Sequence, residues 1–223
     1  MPAPPISRVS RTKQDAKAAY DKMSNLYDVL AGSSEQKFVR RGLQKLAPAE
    51  GEVVLEIGFG TGHALVALAQ AVGESGKVYG IDISEGMRNQ AQRAVEKAGL
   101  AERVEMRTGD AAQLPFADDA VDAVFMSFTL ELFDTPEIPV VLAQCRRVLR
   151  SGGRLVVVAM SKTSDGGSML RLYEWVHERI PKYIDCRPIY VQQSLEEADF
   201  HVAEAAVQSM WGLPVEIVVA RNS

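Results

Sequence analysis

The chain has 223 residues, 47% of them apolar and 24% charged, with a formal net charge of −4. That is ordinary globular composition for one α/β domain, and the acidic balance argues against a broad electrostatic footprint for nucleic acid. The longest apolar runs, such as "LVVVAM", are too short to span a bilayer, and "MPAPPISRVSRTK" has no apolar core of a secretory signal.

Residues 1–14 read as a flexible, proline-containing start. From about Lys13 to Leu46 the chain reads as helical, with Ala16, Tyr20, Met23, Tyr27 and Leu30 on one face. "AGSSEQ" interrupts it, and Ser33 with Gln36 looks like a capping box that restarts it. Pro48 and Gly51 close this segment. Short apolar runs then alternate with amphipathic stretches. "EVVLEIG", "KVYGIDIS", "RVEMRTGD", "AVDAVFMSFT" and "RLVVVAM" are strands, and "SGG" punctuates before the last of them. "HALVALAQAV", "EGMRNQAQRAVEKAG" and "EIPVVLAQCRRVL" are helices, the second capped by Gly99. Strands that are apolar throughout, alternating with helices, predict a parallel sheet covered on both faces. Runs 53–57 and 155–159 suit its central strands.

After Ser161 the rhythm loosens. "KTSDGGS" is a loop, "SMLRLYEWVHERI" has helical spacing, and "SLEEADF" is a short helix. "HVAEAAVQSM" and "PVEIVVARN", joined by "WGLP", must pair antiparallel because the connection is so short. The expected organisation is a single domain over 15–223. A helical cap spans 15–48, a cofactor-binding core 52–160, a substrate-side helical segment 161–200 and a terminal hairpin 201–221.

The stretch "EIGFGTG" places Gly58, Gly60 and Gly62 between a strand and a helix. Glycine there permits unusual backbone angles and close approach to a ligand. The dinucleotide pattern G-x-G-x-x-G/A fails in both registers, because its third position falls on His63 or Leu65. No Gly-Lys-Ser/Thr follows, so the phosphate-binding P-loop fails too. Cys145 and Cys186 have neither metal spacing nor a CxxC motif, which fits a reducing cytoplasmic setting and no metal site.

The residues Glu56-Ile57-Gly58-Phe59-Gly60-Thr61-Gly62, with Asp82 ending the second strand and Asp110 following the third, resemble the class I S-adenosylmethionine-dependent methyltransferases. "DDAVDAVFMSFTLELF", "RRVLRSGGRLVVV" and the closing hairpin extend the resemblance over roughly residues 15–221. "YDKMSNLYD" and "PVEIVVARN" look closest to the ubiquinone/menaquinone-biosynthesis branch, although Ser151 stands where many relatives carry proline. The resemblance implies a Rossmann-like, doubly wound sheet of seven strands, mostly parallel with an antiparallel last strand, beneath an N-terminal helical cap.

It also implies S-adenosyl-L-methionine as cofactor. Asp82, beside Ile83, would accept the ribose hydroxyls, and Gly109, Asp110 and Ala111 would meet the adenine. Glu56 and the turn around Gly58, Phe59, Gly60 and Gly62 would hold the amino-acid end. Tyr20 and Tyr27 would cover the cofactor, with ring faces toward the sulfonium. Ser127 and Phe128, at the C-terminal end of a strand, lie where open α/β sheets bind ligands.

The acceptor side is less legible. Aromatic residues near it favour a small-molecule or lipid-like acceptor: a quinone-precursor ring, a phospholipid amine or similar. Tyr173, Tyr183, Arg187 and Tyr190 are candidate substrate contacts, and His177 is a candidate base near neutral pH, beside the alternative of simple packing. Glu131 and Asp134 are candidates for the pocket rim, although loop carboxylates are usually solvated. A non-catalytic cofactor-binding module would carry the same glycines. A nucleotide-dependent oxidoreductase is the third reading. Nothing in the sequence forbids peripheral membrane contact or fixes an oligomeric state.

Overall fold

The computed structural model describes residues 32–162 and 187–223, together with Ile6, Arg8, Val9, Thr12, Gln14, Asp15, Lys17, Ala18 and Asp21 of the N-terminal stretch. Helix α1 (Gly32–Leu46) is followed by β1 (Val53–Ile57), α2 (His63–Ala71), β2 (Lys77–Asp82), α3 (Glu85–Lys97) and β3 (Val104–Thr108). Then come β4 (Val121–Ser127), α4 (Ile138–Val148), β5 (Leu149–Met160), α5 (Val191–Glu197), β6 (Phe200–Met210) and β7 (Leu213–Asn222). Single 3₁₀ turns occupy Ala111–Gln113 and Leu130–Leu132.

The strands form one seven-stranded sheet in the order β3-β2-β1-β4-β5-β7-β6. β1 to β5 pair in parallel, whereas β7 runs antiparallel to both β5 and β6. The apolar runs are explained by burial on two sides. Val54, Phe125, Val156 and Val158 face one cluster, which includes Phe38, Leu65, Leu68, Ala91 and Val95 from α1, α2 and α3. Leu55, Ile57, Val124, Met126 and Val157 face the other, with Val141, Leu142 and Cys145 of α4 and Leu195 of α5. Each such large side chain contributes roughly 1.5–3 kcal/mol of transfer free energy.

Local chemistry sets the helix ends. Ser84 caps α3 by accepting the Met87 amide at 3.1 Å. At the other end Gly99, with φ of +71°, donates to Glu96 and Leu100 donates to Val95, the paired bonds of a Schellman stop. Two boundaries differ from the sequence reading. α1 begins at Gly32, so Ser33 lies inside the first turn rather than before it. The "SGG" stretch is not a break. It lies within β5, which starts at Leu149 opposite Val121 and shifts register before Arg154 meets Ala123. Glycine absorbs that irregularity: Gly152 adopts φ of +75°.

α1 lies tight on the sheet. A Cβ at Gly42 would stand 2.5 Å from Val158 Cγ2, so only glycine permits this approach. The close crossing carries Val39, Arg40 and Leu43 to the carboxyl ends of the central strands, where a cavity opens.

Candidate functional site

Strand order reverses direction of growth between β1 and β4, and crevices at such switch points bind ligands in open α/β sheets. A cavity of about 400 Å³ occupies this place. Glu56, Gly58, Phe59, Gly60, Asp82, Ile83, Gly109, Asp110, Ala111, Ser127 and Phe128 all line it. Eleven of the cofactor candidates therefore share one crevice.

The glycine turn is built from both sides. The Gly58 amide donates to the Ile81 carbonyl at 2.8 Å. Gly58 has φ of +73°, and a Cβ there would fall 2.2 Å from Thr129 Oγ1. Thr129 itself donates to the Ser127 carbonyl at 2.9 Å. Gly60 is different. Its φ is +52°, yet a Cβ would meet nothing within 4 Å among the described residues, so the space beside it opens to the cavity. Gly62 stands apart from the lining. It precedes α2 with φ of +89°, and its missing Cβ makes room for Ala91 of α3 at 2.8 Å. Its glycine is set by helix packing rather than by the cavity.

Asp82 closes the turn. Its carboxylate accepts the Gly60 amide at 3.0 Å and the Ser84 amide at 2.9 Å. Burial pushes its pKa up to about 6, against the opposing effect of these backbone donors. Glu56 is only 2% exposed, and its Oε2 has no hydrogen-bond partner among the described residues. Burial, and secondarily the nearby Asp82, hold its carboxyl well above the usual carboxylate range. A buried carboxylate without a donor is costly unless a cation or donor arrives from the cavity.

On the far wall Asp110 caps a 3₁₀ turn by accepting the Ala112 amide at 2.9 Å. The Gly109 amide donates to the Asp82 carbonyl at 2.9 Å, tying the two acidic loops together. Phe128 adopts φ of +50°, strained for a bulky residue, and is held by donation of its amide to Val158 O at 2.7 Å.

The sequence reading missed several lining residues: Glu35, Gln36, Val39, Arg40 and Leu43 from α1, and Leu132, Phe133 and Glu137 beyond β4. Helical spacing of Gln36 with Arg40, and of Val39 with Leu43, carried the signal for the α1 wall. His63, the first residue of α2, also lines the cavity.

The acceptor candidates fare differently. Tyr20, Tyr27, Tyr173, His177 and Tyr183 lie outside the described residues. Tyr190 is half-buried ahead of α5 and is not part of the cavity lining. Arg187 was a candidate substrate contact, but it is fully buried. It donates to the Phe133 carbonyl and, at 3.1 Å, to Thr135 Oγ1. Its pKa is lowered by burial, while Asp134 and Glu131 favour its charge. Glu131 is likewise fully buried rather than solvated, and accepts the Met160 amide at 3.1 Å. Arg187 thus braces the loop that presents Phe133 to the cavity.

The N-terminal stretch ties to both rims. Arg8 grips Asp134 through Nε at 2.8 Å and Nη2 at 2.6 Å, and the Val9 amide adds a bond at 3.0 Å. These donors hold the Asp134 carboxyl well below the usual range. On the opposite rim Asp21 accepts Ser84 Oγ at 2.6 Å and the Gly86 amide at 2.9 Å.

Residues 54–153 match the family model of a methyltransferase domain. The chain carries a class I S-adenosylmethionine-dependent methyltransferase domain. It is 34% identical over 155 residues to a demethylmenaquinone methyltransferase of Geobacillus stearothermophilus, covering 70% of this chain and 64% of that one. The chain spans about three fifths of the length of the curated relatives it matches. Among solved structures, a SAM-dependent methyltransferase from Aquifex aeolicus is 26% identical, with a TM-score of 0.64 over 93% of this chain and 98% of that one. The [4+2]-cyclase SpnF superposes with a TM-score of 0.77 over 100% of this chain and 99% of that one, at 18% identity, which shows the methyltransferase fold alone. Glu56, Gly60 and Asp82 fall inside the matched domain, on the crevice wall. No helix among the described residues is long and apolar enough to cross a membrane.

Proposed function

We propose that the protein transfers the methyl group of S-adenosyl-L-methionine to an apolar, ring-bearing small molecule or lipid-like acceptor in the cytoplasm. The observation that carries this reading is the crevice wall itself: among the described residues, buried Glu56 has an Oε2 without a partner, the space beside Gly60 is open, and Asp82 is fixed beside them. These groups fit the cofactor. Glu56 would meet its ammonium and Asp82 its ribose hydroxyls. Asp110 and the Ala111 amide would meet the adenine. Gly60 lets the amino-acid end approach the backbone.

When bound, adenosylmethionine supplies an electrophilic methyl on a sulfonium. The protein's part is then mainly placement, which can contribute about 7–11 kcal/mol when reacting atoms are aligned. Val39, Leu43 and Ala67 line one side of the cavity with apolar surface, while Gln36, Arg40 and His63 line it with polar groups. An acceptor with an apolar body and an ionisable ring oxygen suits that wall. The names of the demethylmenaquinone methyltransferases point to the same class. His177 remains the proposed proton acceptor, Tyr20 and Tyr27 the proposed cover of the cofactor, and Tyr173 and Tyr183 proposed acceptor contacts, with Gly62 supporting the turn from behind. A single domain spanning 15–223 is the organisation that goes with this reading.

An acceptor screen read by adenosylhomocysteine release tests it. Turnover with reduced quinone-like or phenolic acceptors is expected. Tight adenosylmethionine binding without turnover on any of a broad acceptor panel would leave a binding module instead.

A further inference from the structure

The β6–β7 connection is a two-residue turn, because Met210 pairs directly with Leu213. Trp211 has φ of +52° and Gly212 has φ of +85°. Positive φ at both positions is the signature of a type I′ turn, whose first position favours Asn, Asp or Gly. Tryptophan is a poor choice there. Burial does not compensate, since Trp211 is 71% exposed. The turn is nevertheless held firmly. Gly212 donates to Ser209 Oγ at 3.1 Å, and Met210 and Leu213 are buried with Phe38 of α1. An indole is thus presented to the surroundings on a rigid stem. Val207, 53% exposed, lies on the edge strand that leads into this turn.

The tip lies at the cavity's end of the sheet. Met160, at the carboxyl end of β5, pairs with Val215, and the Ser161 amide donates to the Pro214 carbonyl at 2.9 Å. Cations flank it. Arg41 of α1 donates to Gln208, and Lys45 pairs with Glu204 farther down β6. Lys37, one turn beyond Arg41 in the direction of the tip, is exposed, and Arg40 is exposed at the cavity lining. Glu35 is the carboxylate of that wall nearest in sequence.

We propose that the Trp211 hairpin and the cationic face of α1 dock the protein on an anionic lipid bilayer, with the mouth of the crevice toward the membrane. A projecting indole and one valine are too little apolar surface for a stable protein interface, which buries roughly 800 Å² per partner. They do match the membrane–water interface, where tryptophan is favoured. Lysine and arginine beside it complement anionic headgroups.

The test is co-sedimentation of the full chain with vesicles of phosphatidylglycerol and phosphatidylcholine, against vesicles of phosphatidylcholine alone. Binding to the anionic vesicles is expected, falling as salt rises. Trp211→Asn should lower it several-fold while the melting temperature holds or rises, because Asn-Gly suits the turn. Lys37→Glu should also lower it. No binding to anionic vesicles, or undiminished binding of Trp211→Asn, overturns the proposal. So does a wild-type dimer that Trp211→Asn dissociates, because a second copy would then be the occupant. The readout needs neither cofactor nor acceptor, so its failure is separable from failure of the methyl-transfer reading.

Discussion

The Asp82 carboxylate accepts the Gly60 amide at 3.0 Å, so the acid that ends β2 and the turn that follows β1 move as one piece. A charge-assisted bond of this kind is worth about 1.5–3 kcal/mol when lost. Asp82→Ala should therefore weaken adenosylmethionine binding at least about tenfold, since ~1.4 kcal/mol is a factor of ten. Affinity should also fall as the pH is lowered through Asp82's value of about 6. Calorimetry of both proteins across this range checks the point, and Asp82→Ala should lose the part of the pH dependence that Asp82 contributes, leaving that of Glu56.

Glu56 gives a sharper sign. Its folded-state pKa is raised, so the native protein holds that proton more tightly than the unfolded chain does. Stability is then lost as pH rises above the unfolded value of about 4.3. Ligand-free Glu56→Gln is expected to melt above the parent near neutral pH, with the gap closing as the pH approaches about 4. Each kcal/mol should appear as roughly 2–4 °C. The same variant should bind adenosylmethionine more weakly. A gap that does not change with pH would show that the carboxyl carries no such penalty.

Gly58 and Gly60 should separate structure from binding. Gly58→Ala forces a Cβ to within 2.2 Å of Thr129 Oγ1 and should strongly lower the melting temperature. Gly60→Ala meets no atom within 4 Å and bears only the left-handed backbone cost, about 1 kcal/mol. Its melt should change little while cofactor affinity collapses. Equal effects of the two substitutions on stability would contradict this division.

Arg187 is expected to behave as a brace. Arg187→Ala removes donors from the Phe133 carbonyl and Thr135 and leaves Glu131 buried beside them. Leaving a buried acceptor without its charged donor costs about 1–3 kcal/mol for each bond. Denaturant unfolding measures it. A loss below about 1 kcal/mol would mean the surroundings relax around the gap.

Most of the sheet was legible because its strands are buried on two faces and its helices on one. Apolar runs such as Val53–Leu55 and Leu155–Val158 therefore carried the order of elements on their own. The crevice wall was legible for a related reason: Glu56 and Asp82 sit at the carboxyl ends of strands, and Gly60 and Asp110 in the turns just beyond them. What stayed hidden depends on distant partners. Glu131 and Arg187 are 56 positions apart, and nothing near either residue foretells their joint burial. Gly62 was read as part of the ligand cradle because its neighbours are, whereas Ala91, 29 positions on, is what excludes a side chain there. The strand character of Arg150–Gly153 depends on Leu149 meeting Val121 across a shifted register, and two adjacent glycines conceal it.

The contacts of Asp21 with Ser84 and Gly86, and of Arg8 with Asp134, differ in their sensitivity to salt. Arg8 and Asp21 of the N-terminal stretch are thus anchored to loops that follow different strands, β4 and β2. The Arg8 clasp is solvent-exposed and screened by salt, whereas Asp21 is set into the start of α3. Rising ionic strength should therefore loosen the Arg8 anchor well before the Asp21 anchor.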